Sequence, residues 1–556
     1  MTKCVTLIFL AITLTLQAQS NDLSLANTFS DGIVLQREKL INVWGLANPN
    51  KSVTLNFGEE TKSIKADAKG KWSIKIGPLK ASSESRTMTI RSGKSEVKIA
   101  DIIVGEVWVC GGQSNMAWTL RGSTDADIEI SSANFNEIRF LKLPNIASPT
   151  KLDDFPIGKP TDWIGKWQKA ITPQVQNCSA VAYYFAKRLH RQLQVPVGII
   201  ENSWGGTMAQ HWCNKDTLRK IPEMAEDIKN FDEKYQEWID DGKEAGAKQR
   251  FSKDLANWEK INAEAKAKGE KEPSKPNANE YKDPGAVRQP AGMYNGSLLP
   301  IANTTVRGIL FYQGENNSFG TSWKPFYRTF PALISDWRNV FGDANMPFGI
   351  IQIAGWSNRR SMEYDMNHHC NVVREIQLDT WLHTSNTGLI TTYDTNSNGS
   401  IHPSRKLPVG ERSARWALSE VYKVNKFGSN EPLEWKGPVF NDAKFESGKA
   451  FVTFEEGTDR GLRLDQDVDV GFVLAGKDKK FHHAKAKITQ SKEDKKPQVE
   501  IWCDDVKDPV AVRYAFSNLP IGGLMNAREI PAYPFRSDDW PMTPHQSTGS
   551  YLRNKK

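Results

Sequence analysis

At 556 residues, with 39% hydrophobic and 25% charged residues, the chain is too long for one typical domain and too apolar for wholesale disorder. Its formal net charge of +8 is interleaved with acidic residues rather than gathered into an arm, and no nucleic-acid motif accompanies it, so the surplus reads as a solvated surface. Eighteen tryptophans fit the cores of β-domains or a sugar-binding cleft, where a flat indole matches the CH face of a pyranose.

The first residues, Met1-Thr2-Lys3, precede an apolar run from Cys4 to Leu16 and then a small residue at Ala18. One positive charge, a short apolar region and a small residue are the parts of a signal peptide, here residues 1–18, so a periplasmic or secreted protein without membrane insertion is expected. Five cysteines remain beyond it: Cys110, Cys178, Cys213, Cys370 and Cys503. None forms a CxxC pair, which disfavours a structural zinc site, while an oxidising compartment would permit a disulfide such as Cys178–Cys213.

Residues 21–100 alternate apolar and polar positions in short runs such as Val53–Phe57 and Trp72–Ile76, separated by Gly and Asp, which predicts an N-terminal β-sandwich. The texture then changes. Five mainly apolar runs, Ile102–Cys110, Val195–Ile200, Val306–Tyr312, Phe348–Ile353 and Gly388–Tyr393, alternate with stretches of helical spacing such as Ala180–Leu193 and Trp323–Phe341. Runs of this kind mark strands buried on both faces, and their alternation with helices predicts an α/β domain over residues 101–213 and 285–425. Residues 214–284, rich in Lys, Glu and Ala, read as a helical insertion, and residues 430–541 return to short strands as a C-terminal β-domain.

In an open α/β sheet, ligands sit at the carboxyl ends of the strands. The first apolar run is followed by Gly111-Gly112-Gln113-Ser114-Asn115-Met116, the second by Glu201-Asn202-Ser203-Trp204-Gly205-Gly206-Thr207, and the third by Gln313-Gly314-Glu315-Asn316-Asn317. The fifth leads to Asp394 and then Asn398-Gly399-Ser400-Ile401-His402-Pro403. These residue types match acyl transfer. Ser114 follows a glycine pair that permits a tight turn and is the candidate nucleophile; His402 is the candidate base. The backbone amides of Ser114 and Gly206 (or Gly205) and the side-chain amide of Asn317 are the candidate oxyanion donors. Gln113, Trp204, Gln313 and Glu315 are candidates for substrate contact. The position three before His402 is Gly399, so the orienting acid is not where the simplest pattern puts it; Asp394 at the end of the fifth run is the first candidate, Glu315 the second and a backbone carbonyl the third. Met116 two residues after Ser114 breaks the Gly-x-Ser-x-Gly elbow of the α/β-hydrolases. The pairs His368-His369 and His482-His483 invite a metal reading, but adjacent side chains on a strand point to opposite faces and no carboxylate stands at ligand spacing.

These blocks resemble the SGNH (GDSL-like) hydrolases, and more closely the sialate O-acetylesterase family. The resemblance rests on Gly112–Met116, Ser203–Thr207, Tyr312–Asn317, and Ile401–Pro403 with Lys406 and Val409–Arg412. It extends to Phe29–Arg37 and Val43–Gly45 near the start and to Ala511–Ala515 and Pro534–Pro541 near the end. It implies an SGNH-type three-layer α/β/α domain with a central parallel five-stranded sheet, flanked by β-domains. It also implies a serine esterase that needs no cofactor or metal and acts on an O-acetylated carbohydrate, sialic acid or acetylated xylan. A non-catalytic sugar-binding protein is the alternative of another class; it would be expected to have lost at least one of Ser114, Gly206, Asn317 and His402.

Overall fold

The computed structural model describes residues 23–157, 163–357, 368–395, 400–465 and 471–541. The expected signal peptide, Asn398 and Gly399 lie outside the described residues. All five apolar runs become strands of one eleven-stranded sheet, whose main path is made of β1 (Ser95–Gly112), β2 (Asn134–Lys142), β3 (Trp167–Ile171), β4 (Val197–Ser203), β5 (Gly308–Tyr312), β6 (Phe348–Ile351) and β7 (Thr387–Ile390). Their order is β3-β2-β4-β1-β5-β6-β7. All pairings from β2 to β7 in that order are parallel, and β3 lies antiparallel on β2 at the edge.

The parallel part therefore has six strands where five were expected. The additional strand, β2, alternates exposed and half-buried residues in its first half, so it lacks the unbroken apolar run that marks the central strands. A second difference concerns the expected boundary at residue 100, which falls inside β1. The early part of that 18-residue strand pairs antiparallel with Ser82–Ser92, and Ile103–Gly105 pairs in parallel with Val34–Gln36. One continuous backbone thus runs from the N-terminal β-domain into the centre of the α/β sheet.

Helices cover both faces. Trp108 of β1 meets Phe185 of helix Ala180–Leu193 and Trp416 of helix Leu407–Trp416, at ring-centroid distances of 5.1 and 6.0 Å. Gly111, on the opposite face of the strand, abuts Trp337 of helix Trp323–Val340, where an added Cβ would come within 2.6 Å of the indole. Trp337 also packs on Phe311 and Trp212. The region expected to be a helical insertion contains two helices, Ala225–Asp240 and Lys243–Lys268, packed on each other.

The C-terminal region holds two four-stranded antiparallel sheets. It is anchored beside β7 by the Tyr514 and Tyr393 hydroxyls, 3.0 Å apart, and by Tyr533, whose hydroxyl donates to the Leu389 carbonyl at 2.7 Å. The five cysteines are free, so the Cys178–Cys213 disulfide is not formed; the Cys178 thiol donates to the Val175 carbonyl, and Cys213 to those of Ala209 and Thr329. Among the described residues no helix is long and apolar enough to cross a membrane.

Trp337→Ala should remove the packing partner of Gly111, Phe311 and Trp212 together. A loss of about 3–5 kcal/mol in denaturant unfolding is expected for a fully buried tryptophan. A loss below about 1 kcal/mol would mean that this face of the sheet is not packed as described.

Candidate active site

Three strands end at one level. Gly112 pairs with Ser203 on one side and with Tyr312 on the other. Gly112 has φ +131°, and a Cβ there would sit 2.1 Å from the Tyr312 carbonyl oxygen, so only glycine allows β1 to approach β5 this closely. Two residues later, Ser114 opens a four-residue helix, Ser114–Ala117, with its side chain half-buried.

After β4, the Trp204 amide donates to the Gly112 carbonyl at 2.9 Å and the chain turns through Gly205-Gly206. Gly206 takes φ +73°, which favours glycine, and a Cβ on Gly205 would lie 3.3 Å from the Ser114 Cβ. Trp204 stays half-buried beside this turn. After β5, the Gln313 amide nitrogen donates to Gln113 Oε1 and to the Thr207 carbonyl, both at 2.7 Å, and the Asn316 backbone amide donates to Gln113 Oε1 at 3.3 Å. Gln113 and Gln313 are thus buried struts that join the three strand ends, rather than the substrate contacts expected of them.

His402 completes the constellation. Its Nε2 lies 2.7 Å from Ser114 Oγ, its backbone amide donates to Ser400 Oγ at 3.0 Å, and its ring stacks on Trp118 with centroids 5.3 Å apart and planes at 22°. Asp394, the first expectation for the orienting acid, is elsewhere engaged. Both its oxygens accept from the Arg412 guanidinium at 2.7 Å, a bidentate pair that fixes the carboxylate away from the imidazole. Glu315 is also turned away: it is buried, and its Oε1 accepts from Asn115 Nδ2 at 2.5 Å, so it is neither an orienting acid nor open to substrate. Among the described residues no carboxylate bonds to His402.

Asn115 ties these parts together. Besides Glu315, its Nδ2 donates to the Ile401 carbonyl at 3.0 Å, and its Oδ1 accepts from Lys406 Nζ at 2.5 Å. The residue after Ser114 is therefore bonded to the residue before His402. Burial raises the Glu315 pKa and lowers that of Lys406 to about 7; the Lys406 ammonium also lies over the Trp118 and Tyr312 rings. Burial, and then the Lys406 charge, hold the His402 imidazole below its ordinary value.

Of the expected oxyanion donors, one is otherwise engaged. Among the described residues neither the Ser114 nor the Gly206 backbone amide donates to a carbonyl. Asn317, however, is fully buried with its amide occupied: Oδ1 accepts from the Ala209 amide at 3.0 Å, and Nδ2 donates to Gln210 Oε1 and the Ser322 carbonyl at 3.2 and 3.3 Å. Its neighbour Asn316 is half-buried, and its Nδ2 donates to the Gly206 carbonyl at 2.7 Å, which leaves the second hydrogen of that amide unassigned. Asn115, Lys406 and Asn316 are site residues that the sequence pattern does not single out, although each lies in or beside a block that it does.

Among the described residues no group of three His, Cys, Asp or Glu side chains could hold a metal. His368 and His369 pack in an aromatic cluster with Phe319, Trp356 and Trp323.

Residues 293–418 match the family described as carbohydrate esterase, sialic acid-specific acetylesterase. The sialate O-acetylesterase of Mus musculus is 26% identical over 444 residues, covering 74% of this chain and 76% of that protein. Its Homo sapiens counterpart is 25% identical over 445 residues, covering 74% and 73%. Among solved structures, a carbohydrate acetylesterase from Xanthomonas citri superposes with a TM-score of 0.73 at 27% identity, covering 93% of this chain and all of that one.

The electrostatics of the imidazole can be tested without substrate. A cation beside a histidine disfavours the imidazolium, so removing it must raise the pKa. NMR titration should place His402 below about 6.5 in the native protein, and Lys406→Met should move it upward. A downward shift, or none, would contradict the assigned neighbourhood of the ring.

Proposed function

Because the chain belongs to the sialate O-acetylesterase family of carbohydrate esterases, we propose that it removes acetyl groups from sugars through a serine acyl-enzyme. The observation that carries this reading is the 2.7 Å contact between Ser114 Oγ and His402 Nε2 at the shared end of β1, β4 and β5. His402 takes the hydroxyl proton as Oγ attacks the acetyl carbonyl. The carbonyl π electrons move to oxygen, and the resulting oxyanion is met by the backbone amides of Ser114 and Gly206 and by the Asn316 side chain. Collapse breaks the bond to the sugar oxygen, which receives the proton from His402. Water, deprotonated by the same imidazole, then releases acetate and restores Ser114.

Three features support a neutral, correctly aimed imidazole. Burial and Lys406 keep its pKa low, so most molecules carry the basic form at neutral pH. Stacking on Trp118 restrains the ring plane. The Asn115 amide holds the His402 loop to the nucleophile turn through the Ile401 carbonyl. The sugar is read as an O-acetylated sialic acid, as in the names of the mouse and human relatives.

Ser114→Ala should lower acetate release from acetylated sialic acid by at least roughly a thousandfold while the protein stays folded. Retained turnover would overturn the serine mechanism. The two asparagines separate the oxyanion reading from a packing role. Asn316→Ala should lower kcat by about 100- to 1,000-fold, the effect of one lost oxyanion donor, with little change in KM. Asn317→Ala should instead cost about 1–3 kcal/mol of stability, since it leaves buried polar groups unpaired, with a milder effect on kcat. Melting temperature measured beside kcat decides; the reverse pattern would return the oxyanion role to Asn317.

A further inference from the structure

One cation beside the serine has no part in the chemistry above. Arg288 lies at the end of the stretch that succeeds the helical pair, and its side chain is exposed. Its Nη1 donates to the Gly205 carbonyl at 2.9 Å, and a Cβ on Gly206 would fall 2.0 Å from the same nitrogen. The guanidinium therefore lies directly against the Gly205-Gly206 turn. Gly205 in turn abuts Ser114, where its own Cβ would be 3.3 Å from that of the serine. The absence of a side chain at Gly206 is what gives the guanidinium its place.

An arginine this close to other groups usually has a carboxylate partner. Among the described residues no carboxylate pairs with Arg288; its hydrogen bond is to a neutral carbonyl, so other N–H donors of the planar fork remain for a ligand. The nearby His211 does not compete for an anion. His211 is buried and accepts the Met208 backbone amide on Nδ1 at 3.1 Å, and burial together with Arg288 pushes its pKa down to about 3. The imidazole is neutral, and the exposed positive charge belongs to Arg288.

We propose that Arg288 binds the carboxylate of the sugar whose acetyl ester is delivered to Ser114, and that it makes the enzyme select anionic sugars over neutral ones. The proposal rests on the esterase reading above and adds to it the residue that reads the acid of the sugar. A guanidinium presents parallel N–H groups that match both oxygens of a carboxylate, which a neutral acetylated xylo-oligosaccharide does not possess. The hydrogen bond to Gly205 fixes the fork relative to the serine turn. The carboxylate is thereby held at a set distance from the nucleophile, and selectivity falls on esters that this distance brings to Oγ.

The test compares kcat/KM for O-acetylated sialic acid with kcat/KM for an acetylated xylo-oligosaccharide, in the native protein, Arg288→Gln and Arg288→Lys. In Arg288→Gln the ratio of anionic to neutral substrate should fall by about tenfold or more, chiefly through KM. Arg288→Lys, which keeps the charge but loses the fork, should fall between. Raising salt should lower the ratio in the native protein and much less in Arg288→Gln, because an exposed ion pair is screened. An unchanged ratio in Arg288→Gln, with the native protein active, would overturn the assignment and leave the esterase reading standing. Absence of acetate release by the native protein from either substrate would instead count against the esterase reading itself. Equal losses on both substrates in both variants, at an unchanged melting temperature, would make Arg288 a structural support of the glycine turn and likewise overturn the proposal.

Discussion

Gly112 sits in parallel register with Ser203 and Tyr312, and the site depends on that single level. Because the three strands stop together, the segments that leave them must turn in the same place. The first presents Ser114, the second Gly205 and Gly206, the third Asn316. The approach of β1 to β5 is closed to any residue with a Cβ at 112. A larger residue there would not merely crowd a loop; it would push apart the strand ends from which the Ser114 and Asn316 segments leave. The long strand β1 extends this constraint, since its early part belongs to the N-terminal β-domain. That region therefore shares one continuous strand with the segment that carries the serine.

A second layer of order comes from Asn115. One amide joins an acid, a base and a carbonyl: Glu315 after β5, Lys406 before the helix Leu407–Trp416, and Ile401 beside the histidine. Glu315 and Lys406 are both buried, and burial moves each toward its neutral form. An amide can satisfy either form, because it offers a donor to the acid and an acceptor to the amine. Breaking one member of such a network leaves the others buried and unpaired, which costs far more than one exposed hydrogen bond. The same Lys406 that braces the loop also depresses the His402 pKa, so support and electrostatic tuning of the imidazole share one residue.

Much of this is readable in the residues themselves. The five apolar runs mark strands, and the short segments at their carboxyl ends hold Ser114 and lead to His402, 288 positions apart yet 2.7 Å apart in space. The features that escape such a reading do so for physical reasons. The sixth parallel strand lies beside the sheet edge, where one half is partly solvated and its pattern is no longer continuously apolar. Asn316 and Asn317 are indistinguishable in the chain because neighbouring residues in a short 3-10 turn, Asn316–Ser318, point in different directions, and no periodicity tells which is buried with its amide occupied and which reaches the Gly206 carbonyl. Asp394 stands at the expected edge of the sheet, but its partner Arg412 comes from a helix whose packing is decided by the whole fold. Gln113 and Gln313 lie inside the blocks that mark the site, and only the buried hydrogen bonds between them separate a strut from a ligand contact. Arg288 has no spacing signal at all: it becomes notable only where it rests on two glycines.

The central claim is that Ser114 is made nucleophilic by His402 at the junction of three strands. Its most direct measurement is covalent labelling with an alkyl fluorophosphonate, followed by mass mapping of the modified peptide. The account predicts a single adduct on Ser114, and loss of that labelling in His402→Ala while the melting temperature is kept. An adduct on another residue, or labelling of Ser114 at the native rate without His402, would contradict it.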